Sequence, residues 1–217
     1  MNAPITIPRT PYVLRADNPP RACIGVDPGK EGAMVLLVDR NIEWASWWKP
    51  AQQDKQQGFK SWLWTPTGRS SRWVPTWADA VDWPLTMHPE ASATVEAVHG
   101  QPGKSGFEVL AEYAGRALYW CEYMEIPLTA RPTSTTWRAD MLKLPASTAA
   151  AVAEQVAIDT ITGRQTGGRS IVIEQPVSPM VMGEVPGHLA EAILIGMWGA
   201  GYRAQPETVT APGKGVR

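Results

Sequence analysis

The stretch CIGVDPGKEGAMVLLV, residues 23–38, decides the fold. It spans two short apolar runs, 22–27 and 33–38, which predict buried strands because each is bounded by turn-forming residues. A Pro-Gly pair lies between the runs and marks a turn. The first strand therefore ends in a carboxylate, that of Asp27, immediately before the turn.

Downstream of this hairpin, strands and helices alternate. Residues 42–48 alternate well enough for a third strand, so three strands joined by short turns form an antiparallel meander. Two more strands are predicted at 93–98 and 126–131. Periodicity and capping residues predict four helices: one with an apolar stripe of Phe107, Leu110, Ala114, Leu118 and Cys121, one at 134–142 capped by Ser134 or Thr135, one at 147–162, and one from His188 to Trp198. This order indicates an α/β layered domain.

The chain is long enough for one domain of ordinary size. It has 217 residues, 44% of them hydrophobic and 19% charged, which is a globular composition. We predict an extended lead-in at 1–20, a single domain at 21–203 and a loose tail at 204–217. A polar insert that contains Trp occupies about 49–90, and residues 169–174 predict an extra strand.

Charge and tryptophan are unevenly distributed along the chain. Lys and Arg number 20 and Asp and Glu 21, so the net charge of -1 excludes a uniformly basic nucleic-acid coat but not a local basic patch. Residues 49–72 contain five basic residues and one acid, a local charge of +4. Eight of the 11 Trp lie between residues 44 and 83. Those in the insert predict a local aromatic mini-core, with stacking on unpaired bases as the alternative.

Cysteine usage and hydropathy indicate a compartment. Cys23 and Cys121 both lie in apolar runs, which predicts small buried side chains rather than a disulfide framework. The N-terminus lacks the continuous apolar core of a signal peptide, and no apolar run approaches the roughly 20 residues of a membrane span. We therefore expect a cytoplasmic protein with no membrane partner.

Three acidic residues interrupt apolar sequence. Asp27 ends a strand, Glu96 breaks the strand ATVEAV, and Glu191 lies in the apolar helix HLAEAILIGMW. An ionised carboxylate in such surroundings is costly unless it is paired or bound to metal. Because the three come from separate elements, they can converge on divalent ions such as Mg²⁺, which takes hard oxygen ligands. Two such ions about 4 Å apart can activate water and stabilise the leaving oxygen in phosphodiester cleavage.

A histidine accompanies the last of these acids. His188 lies three residues before Glu191, hence on the same helical face, and can ligate a metal or handle the proton of the attacking water. Each residue also has a purely structural interpretation. Asp27 can start a turn, Glu96 can face solvent, and the His188 and Glu191 pair can form an exposed first helical turn. Spacing alone does not choose between these interpretations.

Taken together, the motifs resemble the phage-type branch of the RuvC-like Holliday-junction resolvases, in the ribonuclease H-like superfamily. CIGVDPGKEGAMVLLV resembles the first two strands and the metal-binding Asp of that family, and TVEAVHGQPGKS its fourth-strand Glu and following loop. IPLTARPTSTTWRADML is similar to its fifth strand and helix start, and GHLAEAILIGMWG to its last acidic motif. The resemblance covers about residues 22–48, 93–162 and 186–200. It implies a mixed five-stranded sheet, three antiparallel strands and then parallel strands, flanked by helices.

The resemblance also implies a chemistry. Carried over to this chain, the metal-binding and catalytic set is Asp27, Glu96, His188 and Glu191. The family more often has Asp at the place of Glu191, and has either Asp or His at the place of His188. The implied activity is symmetrical nicking of branched DNA, such as a four-way junction, by a homodimer in DNA recombination and repair. It uses two Mg²⁺ ions per site, with Mn²⁺ as a substitute and no nucleotide cofactor, inside a bacterial or phage-infected cell.

Four residues are candidates for DNA contact. Family members often carry an aromatic residue three positions after the Glu, and His99 stands there. Lys104, Arg116 and Arg138 are candidate phosphate contacts, with a solvated surface position as the alternative for each. The insert and the segment 163–185 have no counterpart in the family, and the insert is interpreted as a lid, a DNA clamp or an altered helical region.

Two other functions stay open at the level of sequence. GVDPGKEGAM would suit the phosphate loop of an actin-like phosphotransferase, although those proteins need a second such loop, which this sequence does not show. A non-catalytic nuclease-like domain that binds DNA would differ from the enzyme only in whether its acidic residues bind metal.

Overall fold

The computed structural model describes residues 5–6, 12–14, 19–39, 41–81, 88–98, 106–162 and 186–204. Its strands are β1 (Ile5–Thr6), β2 (Tyr12–Leu14), β3 (Ala22–Asp27), β4 (Gly32–Val38), β5 (Asn41–Gln53), β6 (Gln56–Thr65), β7 (Gly68–Val74), β8 (Ser92–Val95), β9 (Leu128–Ala130) and β10 (Tyr202–Ala204). Its helices are α1 (Trp77–Ala80), α2 (Phe107–Tyr123), α3 (Ser134–Leu142), α4 (Ala150–Thr162) and α5 (Gly187–Gly199).

Most strands belong to one mixed sheet, in the order β7-β6-β5-β4-β3-β8-β9. Strands β3 to β7 pair with antiparallel neighbours, whereas β3, β8 and β9 run parallel. From the predicted lead-in, β1 pairs with β5 and β2 pairs with β10. The predicted mixed sheet, antiparallel and then parallel and flanked by helices, is therefore confirmed.

The strand count and the insert differ from the prediction. Five strands were too few, because the third strand continues to Gln53 and the insert adds β6 and β7. The pairing of β4 with β5 begins at Trp48, so residues 49–53 project beyond the core sheet with β6 as partner. Their polar sequence reflects this exposure. The strand predicted at 169–174 and residues 205–217 of the predicted tail lie outside the described residues.

The central strands are buried on both faces. Both β3 and β4 are buried along their whole length, which explains their continuous apolar sequences. Helices α3, α4 and α5 contribute to the core on one face, and α1 and α2 to the core on the other. Trp47 and Trp64 fill the first core, and Trp44, Trp48 and Trp77 fill the second. Of the insert residues, Trp64 and Trp77 are buried as expected, but they join the main cores on opposite faces of the sheet and do not form a separate mini-core.

Helix α5 lies directly on β3 because glycines meet at the contact. A Cβ at Gly25 would lie 2.0 Å from the carbonyl oxygen of Ala192 and 2.5 Å from the backbone nitrogen of Gly196. Only glycine therefore fits at residue 25. This close approach holds the first turns of α5 over the carboxyl end of β3, where Asp27 lies.

The stripe predicted on helix α2 is confirmed in part: Ala114 and Cys121 are buried, and Leu118 packs against the core. Leu110 is 43% exposed, while Tyr113, Ala117 and Cys121 are buried against the sheet. The expectation for the cysteines is confirmed, since Cys23 and Cys121 are buried and free, and burial raises the pKa of their thiols to about 12 and about 11. No helix in the described part of the chain is long and apolar enough to cross a membrane.

Candidate metal centre

Three of the predicted site residues meet at the carboxyl end of β3. Asp27 is the last residue of that strand, and its side chain lies on the face that α5 covers. His188 and Glu191 lie one turn apart near the start of α5. The Nδ1 atom of His188 is 2.7 Å from Oδ2 of Asp27. One possible ligand atom from each of the three lies within 4.8 Å of those of the other two.

Glu96 lies beside Asp27 on the neighbouring parallel strand. It directly follows β8, and its backbone N–H donates to the carbonyl oxygen of Val26 at 3.1 Å. Among the described residues, its carboxylate is not part of the set whose ligand atoms all lie within 4.8 Å. It is still close enough for the charges of Asp27 and Glu191 to raise its pKa. The structure thus places all four predicted residues at one end of the sheet.

A fifth residue, Arg138, pairs with Glu191. Its Nη2 atom donates to Oε1 of Glu191 at 2.5 Å, and the two side chains are only 18% and 7% exposed. Arg138 reaches the site from α3, where Thr133 accepts a hydrogen bond from the N–H of Thr136 as N-cap, and its guanidinium lies over the ring of Trp137. Sequence reasoning missed this ion pair. The available signal is the position of Arg138 directly after Trp137 at the helix start, which by itself is equally compatible with a phosphate contact or a surface arginine.

Two glutamates and the histidine of the site have raised pKa values. Burial, followed by the charges of Asp27 and Glu191, raises the pKa of Glu96 to about 8. Burial also raises the pKa of Glu191 to about 7, although the Arg138 guanidinium opposes this shift. The hydrogen bond to Asp27 raises the pKa of His188 to about 9, against the effect of burial. All three shifts favour the protonated forms of Glu96, Glu191 and His188.

This donor set fits a hard divalent cation. Three carboxylates and an imidazole are ligands that Mg²⁺ and Mn²⁺ accept, and metal binding would replace the protons on Glu96 and Glu191. The indole N–H of Trp137 is near enough to lower the pKa of Glu96, and its Nε1 is buried without a hydrogen-bond partner in the part of the chain that the structure describes.

The predicted DNA contacts do not form one group. His99 and Lys104 lie outside the described residues. Arg116 is on α2, which covers the opposite face of the sheet from α5, and pairs with Glu112 at 2.5 Å. Arg138 is occupied by a carboxylate of the site. Its contact with a DNA phosphate therefore stays a prediction and requires an exchange of partners.

Comparisons with known proteins found similarity only at the level of solved structures. No protein-family model matches the chain, and no curated protein matches it. Solved structures of RuvC from Thermus thermophilus are similar to it. One, of T. thermophilus RuvC in complex with Holliday junction substrate, shares 13% identity and covers 82% of this chain and 91% of that one, with a TM-score of 0.41. Another Thermus thermophilus RuvC structure shares 14% identity over 81% of this chain and 91% of that one, with a TM-score of 0.40.

Proposed function

We propose that this protein is a Mg²⁺-dependent endonuclease that nicks Holliday junctions or other branched DNA. The observation that carries the proposal is the convergence of Asp27, His188 and Glu191, with Glu96 on the adjoining strand. Carboxylates from two strand ends and a helix form a ligand set suited to metal-assisted phosphodiester hydrolysis. The order of the four sequence motifs supports branched DNA as the substrate.

In this proposal, each side chain has a defined task. Asp27, Glu96 and Glu191 hold two Mg²⁺ ions, for which Mn²⁺ can substitute. When bound, the ions lower the pKa of a water molecule and stabilise charge on the leaving oxygen. His188 uses Nδ1 for Asp27, which leaves Nε2 to ligate a metal or carry a proton. Arg138 balances the charge of Glu191 in the free protein and turns to a phosphate oxygen when substrate binds.

We further propose that the active form is a homodimer, because a junction of near-twofold symmetry requires two paired cuts. Helix α2 offers a surface for the contact. Val109, Tyr119 and Tyr123 are 40%, 68% and 73% exposed, and the two tyrosine rings stack 6.4 Å apart. An isologous contact through this face leaves both carboxylate sites open. Tyr119→Glu combined with Tyr123→Glu should yield monomers, as measured by light scattering after gel filtration.

The test is cleavage of a synthetic four-way junction with end-labelled strands. Wild type should nick opposing strands with Mg²⁺ or Mn²⁺ and leave a linear duplex of the same sequence intact. Asp27→Asn and Glu96→Gln should each abolish detectable cleavage and retain junction binding. Glu125→Gln removes an exposed carboxylate on the turn after α2 and serves as the charge-matched control with full activity.

One observation favours a second function, DNA binding without catalysis. The pairing of Arg138 with Glu191 is a state in which the site is charge-balanced without metal. Junction binding by wild type with no cleavage of any branched DNA in either metal would overturn the nuclease and establish the binding protein. Hydrolysis of ATP in place of DNA would instead establish the phosphotransferase.

A further inference from the structure

A cross-strand row connects the metal centre to the insert. Asp27 pairs directly with Ala33, Ala33 with Trp47, Trp47 with Trp62, and Trp62 with Ser71. Directly paired residues of antiparallel strands point to the same side of the sheet. The sheet face that carries the catalytic carboxylate therefore continues without interruption across β4 and β5 to β6 and β7.

Beyond the helices, this face becomes basic and aromatic. Since side chains alternate along a strand, Lys49, Lys60, Arg69 and Trp73 share the face of Trp62. We call these five residues the basic face. No acidic residue lies on it, because the only acid between residues 45 and 74 is Asp54 in the β5–β6 turn. Lys49 and Arg69 are exposed, and the other three are half-buried.

The indole rings hold the cations in place. The rings of Trp47 and Trp62 stack at 6.2 Å with an angle of 4° between their planes. The Nζ atom of Lys49 lies 5.7 Å from the ring centroid of Trp62, and the guanidinium carbon of Arg69 lies 5.1 Å from that of Trp47. Such contacts restrain long side chains, which lowers the entropy lost when they bind a ligand.

The size and charge of this surface indicate its ligand. Three strand spacings separate Asp27 from Trp62, a span of about 14 Å, which corresponds to roughly four nucleotides at 3.4 Å per step. Three cations without an acid complement a row of phosphates. We propose that the basic face binds the phosphate backbone of the DNA arm that leads away from the metal centre. This inference rests on the proposed function, since it takes DNA as the ligand.

The test measures DNA binding without metal, so that cleavage does not enter. A fluorescein-labelled four-way junction and a linear duplex are titrated by anisotropy in EDTA, between about 50 and 200 mM KCl. The triple variant Lys49→Gln, Lys60→Gln, Arg69→Gln is compared with wild type. A matched control, Arg21→Gln, Arg72→Gln, Lys143→Gln, removes the same charge elsewhere. Arg72 lies on the opposite face of β7, where it donates to the carbonyl oxygen of Asp79.

The slope of log K against log salt is the deciding quantity. Each lost phosphate contact should reduce its magnitude by about 0.9, hence by about 3 for the triple variant. The control should keep the wild-type slope, and Lys49→Arg, Lys60→Arg, Arg69→Lys should restore it. Equal slopes in wild type and triple variant, or an equal loss in the control, would overturn the proposal that the basic face binds DNA, even if wild type cleaves junctions. A reduced slope in the triple variant, with no cleavage by wild type, would overturn the proposed nuclease activity but support DNA binding by the basic face.

Discussion

The two ends of the row that starts at Asp27 have opposite chemistry. At one end, the carboxylates of Asp27 and Glu191 are buried, Glu96 is half-buried beside them, and the raised pKa values of the two glutamates favour their neutral forms. At the other end, the basic face lies open, and its cations rest on indole rings. The near-neutral total charge conceals this separation. Because the carboxylates are buried and the cations are exposed, we expect stability and ligand binding to depend on pH and metal at the metal centre but not at the basic face.

The largest effect should come from the contact of α5 with β3, which positions the carboxylates of the metal centre. Gly25→Ala places a Cβ against backbone atoms of α5, so it should lower the free energy of unfolding by about 3 kcal/mol and weaken metal binding. Gly115→Ala is the matched control, because open space surrounds that exposed position in α2, and it should stabilise by roughly 0.5–1 kcal/mol. Urea denaturation measures both. Equal shifts of the same sign would show that the α5 contact has no special role.

The acidic end should also make stability depend on pH. The folded protein holds protons on Glu96, Glu191 and His188 at pH values where the unfolded chain has released them. Stability of the metal-free protein should therefore fall by on the order of 2 kcal/mol as pH rises from about 5 to 9. Glu96→Gln should flatten this decline and be more stable than wild type at the upper end. A stability that rises with pH over this range would contradict the assignment.

Metal affinity should rise with pH, whereas the stability of the metal-free protein falls, because the same groups release protons in both cases. Because ligands must be deprotonated, Mn²⁺ affinity should increase about tenfold, or about 1.4 kcal/mol, between pH 7 and pH 8.5. Calorimetry in two buffers of different ionisation enthalpy should detect proton release on binding. Arg69→Gln leaves the acidic end unchanged and should show the wild-type affinity and proton count. Binding without proton release would contradict the raised pKa values of Glu96 and Glu191.

The smallest effect should come from the basic face. Arg69→Gln removes a cation from the ring of Trp47 and should lower the free energy of unfolding by about 0.5–1 kcal/mol, equally at all pH values. Arg69→Lys should recover part of the loss. Thermal unfolding at two pH values distinguishes this result from a pH-dependent one, which would mean that the two ends are energetically coupled.

The acidic end could be predicted because its residues contradict their surroundings. Asp27, Glu96 and Glu191 each interrupt an apolar segment, and such interruptions stand out when the segment is buried on all sides. Arg138 could not be placed in the same way. In a short helix, the sequence pattern is the same for a half-buried arginine as for a surface arginine. Only the packing of α3 on α5 shows that Arg138 is half-buried.

The basic end gave no such contrast. Residues 49–57 are polar on both faces, so alternation does not reveal which side chains share a face. Register is set by a two-residue turn in which Asp54 and Lys55 both have positive φ, +50° and +66°. Such turns usually contain glycine, and its absence removed the hairpin signal from the sequence.

The meeting of α5 with β3 has an evolutionary consequence. A Cβ on Gly25 would enter the helix backbone, and one on Gly196 would lie 3.2 Å from the Cα of Gly25 and 2.9 Å from Leu37. Gly25 cannot enlarge while α5 stays in place, and Gly196 can do so only if the Leu37 side chain and the β3 backbone shift by a few tenths of an ångström. We expect both positions to remain glycine among descendants of this chain, even where Glu191 has been exchanged for Asp. An Asp ligand would still need α5 at the same distance from the sheet.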